Sequence, residues 1–333
     1  MNFTIIIHTG ALVFTIKSYT GVKSLNGLVV RVFFVVGGSI AVAWNVLCDG
    51  IFICKSSICI TIYCQNGERS MTYYCQETER NCVYPADCLE VLRGLPDRSV
   101  DLVIADPPYY RMKGDFDFVF QTVSEYLEWC LAWAGECHRI LKPTGAFYCW
   151  GSCQMIDKLS TYVLDKFNWI KRNLIVWNYR TGRPAKATYR NEAEFLWFYS
   201  NPLHEINIDA VRIPYDEGGE KDKRKNPKGK SCGNVWEFPR IMPNYKEATE
   251  HPTQKPEKLA ERMLLASSRA GDLVVIPFAG SGSEVVQCIK NGRDFIASEI
   301  NESYVRNIIL PRLQKETDCS VSAQEKGGFL CQR

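Results

Sequence analysis

The stretch that most narrows the fold lies late in the chain. Leu273-Val274-Val275-Ile276 is a short apolar run that passes at once into Pro277-Phe278-Ala279-Gly280-Ser281-Gly282-Ser283. A helical pattern follows from Glu284 to Lys290 and stops at Gly292, and Phe295-Ile296-Ala297-Ser298-Glu299 is a second apolar run that ends in an acid. Short branched runs joined through a helix read as buried parallel strands, so the segment predicts a βαβ unit. A glycine-rich turn at the helix start lets a ligand approach the backbone, where unpaired N–H groups and the positive end of the helix dipole receive polar atoms. Glu299, about twenty residues after the glycines, is placed to bind ribose hydroxyls.

The same alternation occurs earlier. Val100-Asp101-Leu102-Val103-Ile104-Ala105 reads as a buried strand, Val123 to Leu141 as a helix stopped by Lys142-Pro143-Thr144-Gly145, and Ala146 to Trp150 as the next strand. Met155 to Phe167 follows as a helix and Leu174 to Asn178 as a strand. Strand and helix in this rhythm predict an α/β fold, a Rossmann-like, doubly wound, mostly parallel sheet.

The first of these strands stops in Asp106-Pro107-Pro108-Tyr109. Active sites of open α/β sheets lie at such carboxyl ends. An exocyclic amino group on a nucleobase is a poor nucleophile because its lone pair is delocalised into the ring. The Asp106 carboxylate can accept one N–H and the Pro107 carbonyl, held in a stiff Pro-Pro loop, the other, which favours a tetrahedral nitrogen with its lone pair free. Tyr109 is then placed to stack on a base that has left its helix. The same four residues also suit a surface turn with a capping Asp, and the rest of the chain decides between the two.

Charge is unevenly spread. The net charge is +3, and residues 1–70 carry five basic and two acidic residues, which leaves 35 of each in the remainder. A balanced body that binds nucleic acid must do so through local clusters. Lys171, Arg172, Arg180, Arg183, Lys186 and Arg190 form one, interleaved with Tyr179 and Tyr189; Lys221, Lys223, Arg224, Lys225, Lys228 and Lys230 form another in a Gly- and Pro-punctuated stretch. Charge runs are usually solvated loops, but two such clusters favour phosphate contact.

Fifteen cysteines with no Cys-x-x-Cys and only four histidines suit neither a disulfide framework nor a metal site, and predict a reduced, cytoplasmic protein. Residues 1–70 stand apart: nearly free of acid, rich in Val, Ile, Phe and Gly, with an uncharged run from Val32 to Cys48. Three readings compete for them, namely a poorly structured or upstream-translated extension with Met71 as the working start, a β-rich appendage, and a membrane anchor. The first is favoured, since nothing in the body calls for a membrane.

His251-Pro252-Thr253-Gln254-Lys255-Pro256 opens a further helix with Leu259, Met263 and Leu264 on its apolar face. With this motif in place, Asp106-Pro107-Pro108-Tyr109, His251 to Pro256 and Phe278-Ala279-Gly280-Ser281-Gly282 together resemble the amino-methyltransferases of DNA restriction-modification systems and phages. The catalytic loop precedes the glycine-rich loop and a basic region separates them, an order similar to the β-class of these enzymes, a circular permutation of the usual S-adenosylmethionine-dependent methyltransferase arrangement. The resemblance covers about residues 80–312.

The resemblance implies S-adenosylmethionine as methyl donor and double-stranded DNA as substrate, with the base flipped out and adenine N6 preferred over cytosine N4. It implies cofactor contacts from Asp106, from Phe278, Gly280, Ser281, Gly282 and Glu299, from Thr253 and Lys255 at the methionine end, and from Asp87 and Cys88 near the adenine. It further implies target recognition by residues 178–250, with Arg180, Arg183, Lys186, Arg190, Lys223, Arg224 and Lys225 on the DNA, a methyltransferase domain over 71–315, a tail over 316–333, a partner endonuclease, and a homodimer. No metal is needed. Departures from the pattern are Tyr110, where Asn is common, Ser283 for Thr, and Ile276, where the family usually places an Asp facing the cofactor's ammonium group. Losing that contact would cost about ten- to hundredfold in affinity, so a DNA-binding relic without cofactor is the rival from another class.

Overall fold

The computed structural model describes residues 78–333 except 113–116, 118, 183–185, 216–223, 325–326 and 333; of residues 1–77 it describes strand backbones alone. The chain divides into two units after Gln76, six residues beyond the expected boundary. In the first unit, β1 (Thr4–Thr9), β2 (Leu12–Lys17), β3 (Val29–Val36) and β4 (Ser39–Leu47) form one antiparallel sheet, and β5 (Ile53–Cys54), β6 (Ser57–Ile62) and β7 (Met71–Cys75) another.

The second unit is built on one mixed sheet. Along the chain run β8 (Cys82–Tyr84), α1 (Cys88–Arg93), β9 (Val100–Ala105), α2 (Val123–Ile140), β10 (Leu141–Gly151), α3 (Ile156–Lys158), β11 (Ile170–Asn178), β12 (Ala193–Ser200), β13 (Val235–Glu237), α4 (Glu257–Ser267), β14 (Leu273–Ile276), α5 (Ser283–Lys290), β15 (Asp294–Ser298), α6 (Glu302–Tyr304), α7 (Leu310–Glu316), β16 (Ser320–Ala323) and β17 (Phe329–Gln332). The order across the sheet is β13-β11-β12-β10-β9-β14-β15-β8-β17-β16. Five central strands, β10 to β8, are parallel, and only β12 and β17 run against the rest of the sheet.

Alternation along the central strands creates two apolar layers. Leu102 and Ile104 of β9, with Val274 and Ile276 of β14, pack under α4, α5 and α7 through Leu259, Met263, Val286 and Leu313. Val103 and Ala105, with Val275, face α1 and α2 through Leu92, Tyr126, Cys130 and Trp133. Both faces of the sheet are covered, as a doubly wound fold requires. All ten described cysteines are free thiols.

Three parts of the sequence expectation change. Residues 178–250, expected as the target-recognition region, include β12, which inserts antiparallel between β10 and β11, third from one edge of the sheet. Residues 316–333, expected as a tail, supply β16 and β17, with β17 paired to β8 and Phe329 and Cys331 buried. The helix expected over 155–167 is a short α3 that continues as a π-helical turn, Leu159–Val163, and a 3-10 turn, Leu164–Lys166. There the Trp197 indole N–H donates to the Ile156 carbonyl at 2.8 Å and competes with the helical ladder.

Candidate active site

Asp106 follows the last residue of β9, beside the loop that leaves β14, because these strands are parallel neighbours whose carboxyl ends open on the same side. A cavity of about 270 Å³ lies there. It is lined by Asp106, Pro107, Pro108 and Tyr109 from one loop, by Phe278, Gly280 and Ser281 from the other, and by Asp87, Cys88, Thr253, Lys255 and Glu299. The structure therefore brings together all of the expected catalytic residues and all of the expected cofactor residues save Gly282, which sits one residue beyond the lining as the N-cap of α5.

The catalytic loop is held from below. The Tyr126 hydroxyl of α2 donates to the Pro108 carbonyl at 2.7 Å, and the Tyr109 amide donates to Asp117 Oδ1 at 2.5 Å. The Pro107 carbonyl accepts no hydrogen bond from the described residues. Tyr110 and Arg111 follow with φ of 56° and 57°, a left-handed conformation that disfavours β-carbon-bearing residues and suits the Asn commonly found at the first of them.

The Asp106 carboxylate is gripped on both oxygens. The Tyr109 hydroxyl donates to Oδ1 at 2.8 Å and the Lys255 ammonium to Oδ2 at 2.5 Å. Lys255 is 5% exposed; its nitrogen also lies 3.6 Å from Glu194, 5.0 Å from the Tyr109 ring centre and 4.8 Å from that of Trp150. Burial alone would lower the Lys255 pKa, but Asp106 and Glu194 hold it above its ordinary value, so Lys255 stays a cation at neutral pH. Burial, then the Asp106 and Glu194 charges, push the Tyr109 phenol well above its usual range, which keeps it a donor. Lys255 thus covers one face of the Tyr109 ring in this structure, and its nitrogen serves Asp106.

On the facing loop, Gly280 (φ 51°) and Gly282 (φ 79°) are left-handed, and a Cβ at Gly280 would come within 3.3 Å of the His251 ring. The Gly280 amide donates to Glu299 Oε2 at 2.8 Å, and the Asn301 amide to Oε1 at 2.9 Å. The Phe278 ring packs against Trp129 and Trp133, with centroids 5.6 and 5.3 Å apart, and forms an apolar wall. Arg312 of α7, itself buried, donates to the Ser281 carbonyl at 2.8 Å and to Glu257 at 2.7 Å, so the end of the fold braces the loop. Ile276 belongs to the core layer under α5, is 1% exposed and does not line the cavity.

Several contributors escaped the sequence reading. Asp117 lies in a stretch without periodicity, Glu194 on the unforeseen β12, Trp129 between the apolar positions of α2, and Arg312 beyond the motifs. Glu284 had a plain signal, an acid in the first turn after the glycines, but acids are common there for the helix dipole alone. It is 7% exposed and lines the cavity. Burial, then the nearby Asp106 charge, push its pKa up to about 7.

That shift fixes a sign. An acid raised in the folded state binds its proton more tightly there than in the unfolded chain, so stability falls as pH rises from about 4.5 to 7 and the loss is complete above it. The full shift corresponds to about 3 kcal/mol. Glu284→Gln should therefore leave the ligand-free chain nearly unchanged in stability at pH 4 and stabilise it by up to about 3 kcal/mol at pH 8, read by urea unfolding at both pH values; equal effects at both would remove the buried charge as the cause.

The expected DNA residues lie elsewhere. Lys186, Arg190, Arg224 and Lys225 are exposed, Arg180 pairs with Glu237 and Arg190 with Glu192 at 2.7 Å, and Lys225 lies over the Tyr215 ring. Arg183 and Lys223 lie outside the described residues. Among the described residues no group of three or more His, Cys, Asp or Glu is arranged to hold a metal ion, and no helix is long and apolar enough to cross a membrane.

Residues 100–310 match the family described as DNA methylase, the N6 and N4 amino-methyltransferases. The chain belongs to this family. Among relatives of this DNA methylase, the DNA adenine methyltransferase YhdJ of Escherichia coli K12 is 37% identical over 233 residues, 66% of this chain and 78% of that protein. The type II methyltransferase M.BglII of Bacillus subtilis is 32% identical over 241 residues, 67% of this chain and 66% of that one. Of solved structures, the cytosine-N4-specific PvuII DNA methyltransferase superposes with a TM-score of 0.55 at 20% identity, over 72% of this chain and 92% of its own. That likeness bears on the fold alone.

Proposed function

We propose that this DNA methylase transfers a methyl group from S-adenosylmethionine to the exocyclic N6 of adenine in double-stranded DNA, within residues 77–333. The observation that carries the reading is one cavity shared by the Asp106-Pro107-Pro108-Tyr109 loop and the left-handed glycine loop. The cavity suits an adenosyl amino acid: an apolar Phe278 and Trp129 wall, Glu299 fixed on the Gly280 amide for hydroxyls, and Thr253 and Ser281 beside them. Bound there, the cofactor supplies an electrophilic methyl group.

The chain's own residues prepare the nucleophile. With both Asp106 oxygens fixed by Lys255 and Tyr109, the carboxylate still has lone pairs for one N–H of a flipped base, and the Pro107 carbonyl, which accepts from none of the described residues, takes the other. Rigid acceptors draw the nitrogen toward tetrahedral geometry without reorganising during the reaction. Tyr109, which lines the cavity, is where the base would stack. The exposed Arg180, Lys186, Arg190, Arg224 and Lys225 would meet phosphates.

The adenine assignment is supported by Asp rather than Ser before Pro-Pro and by the name of the E. coli relative; cytosine N4 is the second reading because the family takes in both N6 and N4 enzymes. Expressing the full chain in a bacterium without endogenous methylation, then reading modified bases in its DNA, should show N6-methyladenine at one short sequence. N4-methylcytosine would install the second reading. A DNA substrate supports a cytoplasmic reaction, and a partner endonuclease and a homodimer stay expectations of the family resemblance.

A further inference from the structure

The acids that line the cavity are all committed to donors of the protein except one. Asp87 caps α1 by accepting from the Leu89 amide, Asp106 holds Lys255 and Tyr109, Asp117 holds the Tyr109 amide, and Glu299 holds the Gly280 and Asn301 amides. Glu284 takes a bond from its own backbone N–H and, among the described residues, from no other group. It is nine-tenths buried and faces the cavity from the first turn of α5.

A buried carboxylate with open lone pairs is costly until a donor, preferably a cation, reaches it. Its raised pKa reports that unrelieved cost. The cofactor carries two cationic centres. Its sulfonium has no N–H to give and must lie at the acceptor nitrogen held by Asp106 and Pro107, whereas its primary ammonium offers three donors. Ile276, sealed in the core, leaves nothing acidic at the strand end itself.

We propose that Glu284 is the residue that binds the ammonium group of S-adenosylmethionine, from α5 instead of from the end of β14. This rests on the reading of the cavity as the cofactor site. Glu284 is then a binding residue on the helix that follows the glycine loop, and Ile276 is no sign of a relic.

The test is equilibrium titration of the full-length protein and its Glu284→Gln variant with S-adenosylmethionine, S-adenosylhomocysteine, which keeps the ammonium and lacks the sulfonium, and 5′-methylthioadenosine, which lacks both. The expected result is a loss of about ten- to hundredfold for the first two ligands and no change for the third. Equal weakening of all three would mean damage to the loop, weakening of S-adenosylmethionine alone would assign Glu284 to the sulfonium, and no change would free it of any contact; each overturns the proposal while leaving the cofactor site standing. A wild-type protein that binds none of the three would overturn the site and the proposal together.

Discussion

Asp106→Ala should lower methyl transfer to DNA by about a thousandfold or more, measured as a single-turnover rate with enzyme in excess. The carboxylate is the acceptor that turns a delocalised amino nitrogen into a nucleophile, and no other group lies beside it with the same geometry. Glu194 is near, but it lies at 3.6 and 3.4 Å from the Lys255 ammonium and the Tyr109 hydroxyl and does not line the cavity. Asp106→Asn keeps one acceptor oxygen and should fall between the two. A rate for Asp106→Ala within tenfold of the parent would remove Asp106 from the chemistry.

The second large effect is structural. Lys255→Met should destabilise the fold by about 3 to 5 kcal/mol, because it leaves Asp106 and Glu194 facing each other in a poorly hydrated pocket without their cation. Urea unfolding reads this directly, and transfer should fall with it because Asp106 loses the bond that orients Oδ2. The double variant Asp106→Asn/Lys255→Met should lose less than the sum of the single losses, since one interaction cannot be removed twice. Additive losses would show that the two side chains act separately.

These two residues mark how far the sequence could be read. Asp106 was legible because a buried strand ending in two prolines leaves its last carboxylate little freedom, and the glycine loop was legible because left-handed residues 280 and 282 demand glycine. Lys255 was legible as a member of the site, yet its partner was not. Its nitrogen meets Asp106 149 residues away, and such pairing depends on how β9 and the loop before α4 meet in space. Glu194 was hidden for a related reason. β12 reads Ala-Glu-Phe-Leu-Trp-Phe-Tyr-Ser, nearly continuous in apolar residues, and nothing local tells that it enters the sheet antiparallel between β10 and β11. The C-terminal strands were misread as a tail because Phe329-Leu330-Cys331 is a run of only three apolar residues between Gly-Gly and Gln-Arg, and only the open edge of β8 gives them something to cover.

Ile276 reads differently in sequence and in structure. In sequence it stands where a carboxylate is expected and suggests a protein that has lost its cofactor. In the structure it is one of the best-buried residues of the core layer, and a carboxylate reaches the cavity from the next helix.

The most direct test of the account is transfer of labelled methyl from S-adenosylmethionine to unmethylated bacterial DNA by the full chain, followed by digestion and identification of the labelled nucleoside. The account predicts label in N6-methyldeoxyadenosine. Label in N4-methyldeoxycytidine would keep the site and change the base, and no transfer from a protein that binds both cofactor and DNA would contradict the central claim that the Asp106 and glycine loops form one working methyl-transfer site.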